Sequence, residues 1–132
     1  MKSMSDTLAK RLLRDRTITV KLHQADEKWP PLTVEARVDT GADRSSIDEM
    51  LAEALGWDID GEKTIKSVNG RKVREYGRGL VTIEGVKFHM ITTYADRSKM
   101  SRPVLIGHDV IVDLLTITAV SYTHLRAHET DT

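Results

Sequence analysis

The sequence predicts a mostly-β domain with one or two short helices. Residues 17–22 and 32–38 alternate apolar and polar side chains and are rich in β-branched residues, a pattern typical of strands. The loop between them contains two adjacent prolines, so the two strands are expected to form a hairpin. Two further hairpins are expected at Asn69-Gly70, which suits a type I′ turn, and at Glu84-Gly85. Several short strands with turns between them indicate a mostly-β fold.

A short helix is expected after the second strand. Ser45 or Ser46 is its predicted N-cap, and Asp48 lies in its first turn. Gly56 ends this helix, because glycine readily adopts the left-handed backbone conformation found after a helix C-terminus. A second, brief helix is expected over residues 109–115. The remaining strands are expected over residues 64–68, 71–73, 80–83, 86–93 and 103–107.

Composition narrows the classes of function. The length of 132 residues suits one domain, and 20 Lys and Arg balance 20 Asp and Glu, so bulk charge does not favour nucleic acid or an anionic membrane as a partner. The absence of cysteine excludes disulfides, a thiol nucleophile and thiolate metal sites. No apolar run approaches the roughly 20 residues of a membrane helix, and no signal peptide is evident. We therefore expect a cytoplasmic protein without a metal or other cofactor.

The C-terminal segment is expected to be an artefact. Residues 120–129 match the translation of a common transposon-end sequencing adapter, with a natural polar tail as the alternative. His124 and His128 lie there at the spacing of one helical turn, and we assign them no function. The expected organisation is an N-terminal arm over residues 1–16, a folded domain over residues 17–118 and the adapter-derived tail over residues 119–132.

The residues that carry chemistry follow the second strand. An apolar strand ends at Asp39, which is followed by Thr40 and Gly41. When two such loops face each other, their carboxylates share one proton, because like charges about 3 Å apart cannot both ionise. One carboxylate then acts as a base on water while the protonated one polarises a substrate carbonyl. On these three residues alone, an ordinary turn after a strand is the alternative.

The longer run from Val38 to Ser46 resembles the active-site loop of retropepsins, the single-lobe aspartic peptidases of retroviral type. Residues 103–107 resemble the apolar strand and glycine that precede the C-terminal helix in that family, and the resemblance extends over residues 17–113. It implies a retropepsin-like acid protease fold, a closed β-barrel, that is an obligate homodimer for activity as an aspartic-type endopeptidase. The catalytic residues that it implies are Asp39, Thr40 and Gly41, and the substrate-binding residues are Ala42, Asp43, Val68, Asn69 and Gly70, the last three at the tip of a flap hairpin.

A closer resemblance concerns residues 67–70 and 95–107. They are similar to a bacterial and archaeal branch of the superfamily that is labelled "ATP-dependent zinc protease" and associated with glutamate ligases. This resemblance implies a glutamate-rich peptide or an isopeptide as substrate. The chain has neither a His-Glu-x-x-His motif nor a phosphate-binding Gly-x-x-x-x-Gly-Lys-Ser/Thr loop, so we predict neither zinc nor nucleotide binding. The cations of the flap hairpin would attract such a substrate, with a solvated strand face as the alternative: Arg71, Lys72, Arg74 and Arg78.

One position departs from the family pattern. Family members usually have Arg directly after the glycine that is Gly107 here, whereas this chain has His108. The resemblance implies that this side chain pairs with Asp43 and braces both the active-site loop and the dimer. His108 would do so only when its imidazole is protonated, at mildly acidic pH. A surface histidine without a partner is the alternative.

Three other charged residues are expected to be structural. Asp109 is the predicted N-cap of the second helix, and Asp96 with Arg97 is expected to form an ion pair or a loop contact. For the whole chain, the competing class of function is a non-catalytic retropepsin-like binding or dimerisation module, which would keep the fold and the loop but not the turnover.

Overall fold

The computed structural model describes Lys10, Arg14, residues 16–68 and residues 70–118. The expected adapter-derived tail and most of the expected N-terminal arm lie outside these residues. None of the described helices is long and apolar enough to cross a membrane. The described elements are β1 (Thr17–Leu22), β2 (Leu32–Val38), β3 (Ser46–Asp48), α1 (Glu49–Ala54), β4 (Gly61–Ser67), β5 (Gly70–Ile83), β6 (Val86–Ala95), β7 (Val104–Ile106) and α2 (residues 108–118).

Six of the strands close into a barrel. They lie in the order β1-β2-β7-β3-β6-β5, and an antiparallel pairing of β1 with β5 closes the ring. Among the described strands β4 pairs with β5 alone, and the two form an extension that we call the β4–β5 hairpin. The predicted mostly-β fold, closed barrel and short helices are therefore confirmed.

The barrel interior is filled by the apolar side chains of the alternating strands. Val20 and Leu22 of β1 are fully buried, as are Val81 and Ile83 of β5. Because side chains of a strand point alternately to its two faces, the polar residues between them lie on the outside. From α2, Val110, Ile111 and Leu114 join the same core. This packing fixes the end of β2 and the start of α2, which carry the site described below.

The α1 helix begins later than the sequence predicts. Its N-cap is Asp48, whose side chain accepts from the backbone N–H of Leu51, and not Ser45 or Ser46. Residues 46–48 instead form β3, which pairs with β6 and β7. Ser45 is fully buried and takes a different role in the site.

The C-terminal end of α1 agrees with the prediction. Gly56 has a φ angle of +75°, and its N–H donates to the carbonyl of Glu53. The N–H of Trp57 donates to the carbonyl of Ala52, so the pair of bonds forms a Schellman motif that terminates the helix.

Strand β5 runs without interruption from Gly70 to Ile83, so the predicted break between residues 73 and 80 is wrong. The intervening segment contains Gly77 and Gly79, which usually weaken a strand. Here they make room for aromatic side chains. A Cβ at Gly77 would overlap the hydroxyl of Tyr94, and a Cβ at Gly79 would overlap the indole of Trp57.

The three predicted hairpins form, but the turn of one is shifted. The turn between β5 and β6 contains Glu84 and Gly85 with φ angles of 51° and 77°, as a type I′ turn requires. In the β4–β5 hairpin, Ser67 pairs with Gly70, whereas a turn at Asn69-Gly70 would pair Val68 with Arg71. The predicted turn is therefore wrong by one residue, and Asn69 itself lies outside the described residues.

Candidate active site

Asp39 lies directly after β2, one of the strands of the barrel. Its backbone N–H donates to the carbonyl of Ile106 over 2.9 Å, which continues the parallel pairing of β2 with β7. Its Oδ1 atom accepts from the N–H of Gly41 over 3.0 Å, and its carbonyl accepts from the N–H of Ala42 over 3.2 Å. The carboxylate is half-buried, whereas Thr40 and Gly41 are exposed. A tight turn thus orients Asp39 without removing it from solvent.

The start of α2 packs closely against this loop. The N–H of His108 donates to the carbonyl of Ala42 over 2.7 Å. A Cβ at Gly107 would lie 2.7 Å from the carbonyl carbon of Arg44 and 2.8 Å from the carbonyl oxygen of Ala42, so only glycine allows this approach. The loop and the helix are consequently held together through backbone atoms.

Asp109 adds a side-chain connection between α2 and the loop. Its Oδ1 atom accepts from the N–H of Ser45 over 3.0 Å and from the Ser45 hydroxyl over 2.8 Å. The Ser45 hydroxyl oxygen in turn accepts from the N–H of Gly107 over 2.8 Å. Because Ser45 is fully buried, Asp109 satisfies two polar groups that water does not reach.

The prediction of Asp109 as the N-cap of the second helix is wrong. The N–H of Ile111 donates to the carbonyl of Gly107, which makes Gly107 the N-cap and places Asp109 in the first turn. The Asp109 carboxylate still accepts from a backbone N–H of the helix, that of Val110, over 2.8 Å.

Asp43 and His108 both line the same cleft. Within the described part of this single chain, no hydrogen bond or ion pair joins their side chains, and the side-chain connection from α2 to the loop comes from Asp109. The pairing of Asp43 with His108 stays a prediction, for the dimer as well as for the single chain.

Replacing Asp109 with Ala is expected to destabilise the protein by about 2 kcal/mol, because the buried N–H and hydroxyl of Ser45 lose their acceptor. Asp109→Asn should restore most of this loss, since its amide oxygen accepts the same bonds. Urea unfolding measures both changes. Asp113→Ala is the matched control, as it removes an exposed carboxylate from the same helix. Equal midpoints for Asp109→Ala and Asp113→Ala would contradict the bracing role.

An open cleft of about 810 Å³ separates the active-site loop from the β4–β5 hairpin. The loop contributes Gly41, Ala42 and Asp43, two of which were predicted to bind substrate. Val68 and Gly70 are exposed at the tip of the hairpin, and Asn69 lies outside the described residues. The other described residues that line the cleft are Arg44, Ser46, Lys63, Thr64, Ile65, Lys66, Arg74, Thr93, Arg97, His108 and Asp109.

Arg97 lies in this cleft and is half-buried. Its Nε donates to the carbonyl of Arg102 over 3.1 Å, and its backbone N–H donates to the carboxylate of Asp48 over 2.8 Å. Burial lowers the pKa of the Arg97 guanidinium, and the nearby charges of Arg37 and Arg74 lower it further against the opposing effect of Asp48. Among the described residues, Asp48 is thus the favourable charge near the Arg97 side chain.

The sequence predicts that Asp96 and Arg97 form either an ion pair or a loop contact, and the structure shows the loop contact. Asp96 accepts hydrogen bonds from the N–H and hydroxyl of Ser98, which lower the pKa of its carboxyl group. Arg97 makes the loop contact with Arg102, and no ion pair joins it to Asp96 among the described residues. No described group of three or more His, Cys, Asp or Glu side chains has the arrangement of a metal site.

A comparison with protein families gives a match over residues 31–113, to the family described as "gag-polyprotein putative aspartyl protease". The chain belongs to this family. The match covers more than half of the chain and includes the Asp39 loop, β7 and the first half of α2. The predicted retropepsin-like aspartic protease family is thereby confirmed, whereas the bacterial and archaeal zinc-protease branch stays a prediction.

Solved structures of viral proteases have the same fold. The EIAV protease, solved with the inhibitor HBY-793, superposes with a TM-score of 0.55 at 20% identity, over 74% of this chain and 86% of the viral one. The simian foamy virus protease gives a TM-score of 0.52 at 14% identity, over 75% and 94% of the two chains. A Legionella pneumophila protein of unknown function gives 0.50 at 17% identity, over 75% and 85%. No curated protein matches the chain.

The sequence missed two features of the site. Ser45 was interpreted as a helix cap, although the structure uses it to connect the loop to Asp109. Arg97 was interpreted as structural, although it lines the cleft. The sequence does show a hydroxyl residue, Ser45, between a glycine-containing loop and a strand. Its partner Asp109, however, is 64 positions away, so the sequence does not indicate the contact.

Proposed function

We propose that the chain hydrolyses peptide bonds as a homodimer whose two Asp39 side chains form the catalytic pair. The observation that carries this proposal is the position of Asp39 directly after β2, where its carboxylate accepts from the N–H of Gly41, a residue that lines the open cleft. Membership of the aspartyl protease family supports the same chemistry. One chain supplies one of the two carboxylates of the pair. Asp109 does not serve as the second, because its carboxylate is already hydrogen-bonded to Ser45 and Val110.

The proposed mechanism divides the work between the two copies. One Asp39 carboxylate accepts a proton from a water molecule, and the protonated partner donates a hydrogen bond to the carbonyl of the substrate. Thr40 is exposed next to Asp39, so its hydroxyl is available to the facing loop of the second copy. Gly41 has no side chain that would separate the two loops. The β4–β5 hairpin lies across the cleft from this loop, as a cover for an extended peptide requires.

A glutamate-rich peptide or an isopeptide is the substrate that the sequence resemblance implies. The side chains along the cleft support an acidic substrate in general terms, since Arg44, Lys63 and Lys66 line it together with Arg74 and Arg97. His108 remains proposed as a partner of Asp43 in bracing the loop and the dimer at mildly acidic pH.

The homodimer is tested by dilution. If two copies build one active site, the specific activity on a generic fluorogenic peptide should fall as the chain is diluted below its dimer dissociation constant. Sedimentation velocity across the same concentrations should show the dimer-to-monomer transition at the same midpoint. An inhibitor that mimics the tetrahedral intermediate of aspartic peptidases should shift the sedimentation midpoint to lower concentration, because it binds the dimer. Activity that is independent of concentration while the chain sediments as a monomer would contradict the proposal.

A further inference from the structure

The cleft carries an excess of positive charge that the described residues do not neutralise. Its described lining contains five cationic side chains and two carboxylates, those of Asp43 and Asp109. The Asp109 carboxylate is bound to Ser45 on the loop side and is therefore committed. The two ion pairs described in this chain, Lys87 with Glu27 and Arg102 with Glu35, involve none of the five cations.

Two of the cations face each other directly on the β4–β5 hairpin. Lys63 and Arg74 are cross-strand partners, so their side chains project from the same face. Both are half-buried and both line the cleft, whereas the next residue on each side of Lys63 or Arg74 along the hairpin is largely exposed. Like charges in directly opposed positions destabilise a strand pair. Lys63 is partly compensated, because its Nζ lies 4.5 Å from the centre of the Tyr76 ring.

Arg97 lines the same cleft, and the nearby charge of Arg74 lowers the pKa of its guanidinium. Its guanidinium is held by the carbonyl of Arg102 and lies 3.5 Å from the hydroxyl of Ser46. A guanidinium has five N–H donors in a planar fork, so these two contacts leave donors that point elsewhere. No described carboxylate forms an ion pair with Arg97, although its backbone approaches Asp48. A rigid, half-buried guanidinium of this kind suits bidentate binding of a carboxylate.

We propose that Arg97, together with Lys63 and Arg74, forms a subsite that binds an acidic side chain of the peptide substrate. The inference rests on the proposed peptidase function and assigns its specificity to named residues. An incoming carboxylate accepts two hydrogen bonds from Arg97 and relieves the repulsion between Lys63 and Arg74. A neutral amide of the same shape gains neither the charge-assisted bonds nor the relief of repulsion. Arg97 therefore determines specificity in addition to making the loop contact with Arg102.

The test compares two labelled peptides, one with Glu alternating with Ala and one with Gln in place of every Glu. Binding is measured by fluorescence anisotropy with the Asp39→Asn chain, which retains an oxygen acceptor for the N–H of Gly41 and does not cleave the probe. We expect the Glu peptide to bind about tenfold or more tightly than the Gln peptide. Adding Arg97→Gln should abolish most of this preference, and Arg97→Lys should retain part of it.

Arg78→Gln is the matched control. Of the four hairpin cations that the sequence predicts to attract the substrate, Arg74 lines the cleft and Arg78 does not. Arg78 is an exposed arginine on β5, so its replacement changes the net charge equally and should leave the preference intact. Melting temperatures of all variants check that they are folded. If Arg97→Gln and Arg78→Gln reduce the preference to the same extent, the subsite is refuted and only general attraction remains.

Cleavage by the chain with Asp39 intact separates this inference from the proposed function. Binding that depends on Arg97 in a chain that cleaves neither peptide would refute the peptidase and support the subsite. Cleavage of both peptides with equal kcat/KM would support the peptidase and refute the subsite.

Discussion

Replacing Asp39 with Asn is expected to lower kcat/KM on any cleaved peptide by a factor of about 10² to 10⁴, the usual contribution of general acid–base catalysis. The amide side chain cannot take a proton from water, yet its oxygen can still accept from the N–H of Gly41. The loop should therefore keep its conformation, and the melting temperature should change little. Steady-state kinetics and thermal unfolding of the same preparation measure the two effects.

Mixing the Asp39→Asn chain with the unsubstituted chain distinguishes a dimeric enzyme from a monomeric one, whose activity per unsubstituted chain would not change. If the copies exchange freely, an equal mixture contains inactive mixed dimers, and the activity per unsubstituted chain should fall to about half. Asp113→Asn, which changes an exposed carboxylate of α2 that does not line the cleft, provides the comparison. Unchanged activity in the mixture, or full activity of Asp39→Asn alone, would contradict the two-copy mechanism.

Replacing Gly79 with Ala is expected to have the largest effect on stability, a loss of about 3 kcal/mol or more in the free energy of unfolding. The added Cβ would overlap the indole of Trp57, and this ring cannot move aside easily. Its Nε1 donates to the carbonyl of His23 over 2.8 Å, and the side chain is buried in the core. Urea unfolding should show a lower midpoint with a similar slope.

Gly85→Ala separates this overlap from the general cost of replacing a glycine. Gly85 has a φ angle of +77°, but no atom lies within 4 Å of the position of its Cβ. Only backbone strain is then expected, which amounts to about 1 kcal/mol. If both substitutions have the same effect, Trp57 does not occupy the space beside Gly79.

The elements that could be predicted are those whose pattern is local. Strands β1 and β2 alternate regularly, and their predicted bounds agree with the structure. Strand β5 was divided, because Gly77 and Gly79 argue against a strand unless Tyr94 and Trp57 are known to occupy the space beside them. Strand β3 has three residues and depends entirely on its neighbours β6 and β7. Its existence is a tertiary effect that no local pattern indicates.

The candidate site likewise has a local part that the sequence predicts and a long-range part that it does not. The loop at Asp39 is a contiguous run, so its sequence was sufficient to predict a carboxylate at the end of a strand. The contact between Ser45 and Asp109 joins residues 64 positions apart, and sequence alone does not bring them together. Arg97 could be noticed only once Lys63 and Arg74 were found along the same cleft. The long-range part of the site thus depends on the closure of the barrel.

Because β4 is attached to a single neighbour, the β4–β5 hairpin and the six-stranded ring differ in their resistance to bending. The six-stranded ring has each of its members bonded on two sides, so bending it requires the rupture of several ladders at once. The outer portion of the β4–β5 hairpin is bonded only within itself and so meets little such resistance. In the proposed peptidase, a peptide could therefore enter or leave beneath the hairpin without disturbing the strand pairing that positions Asp39.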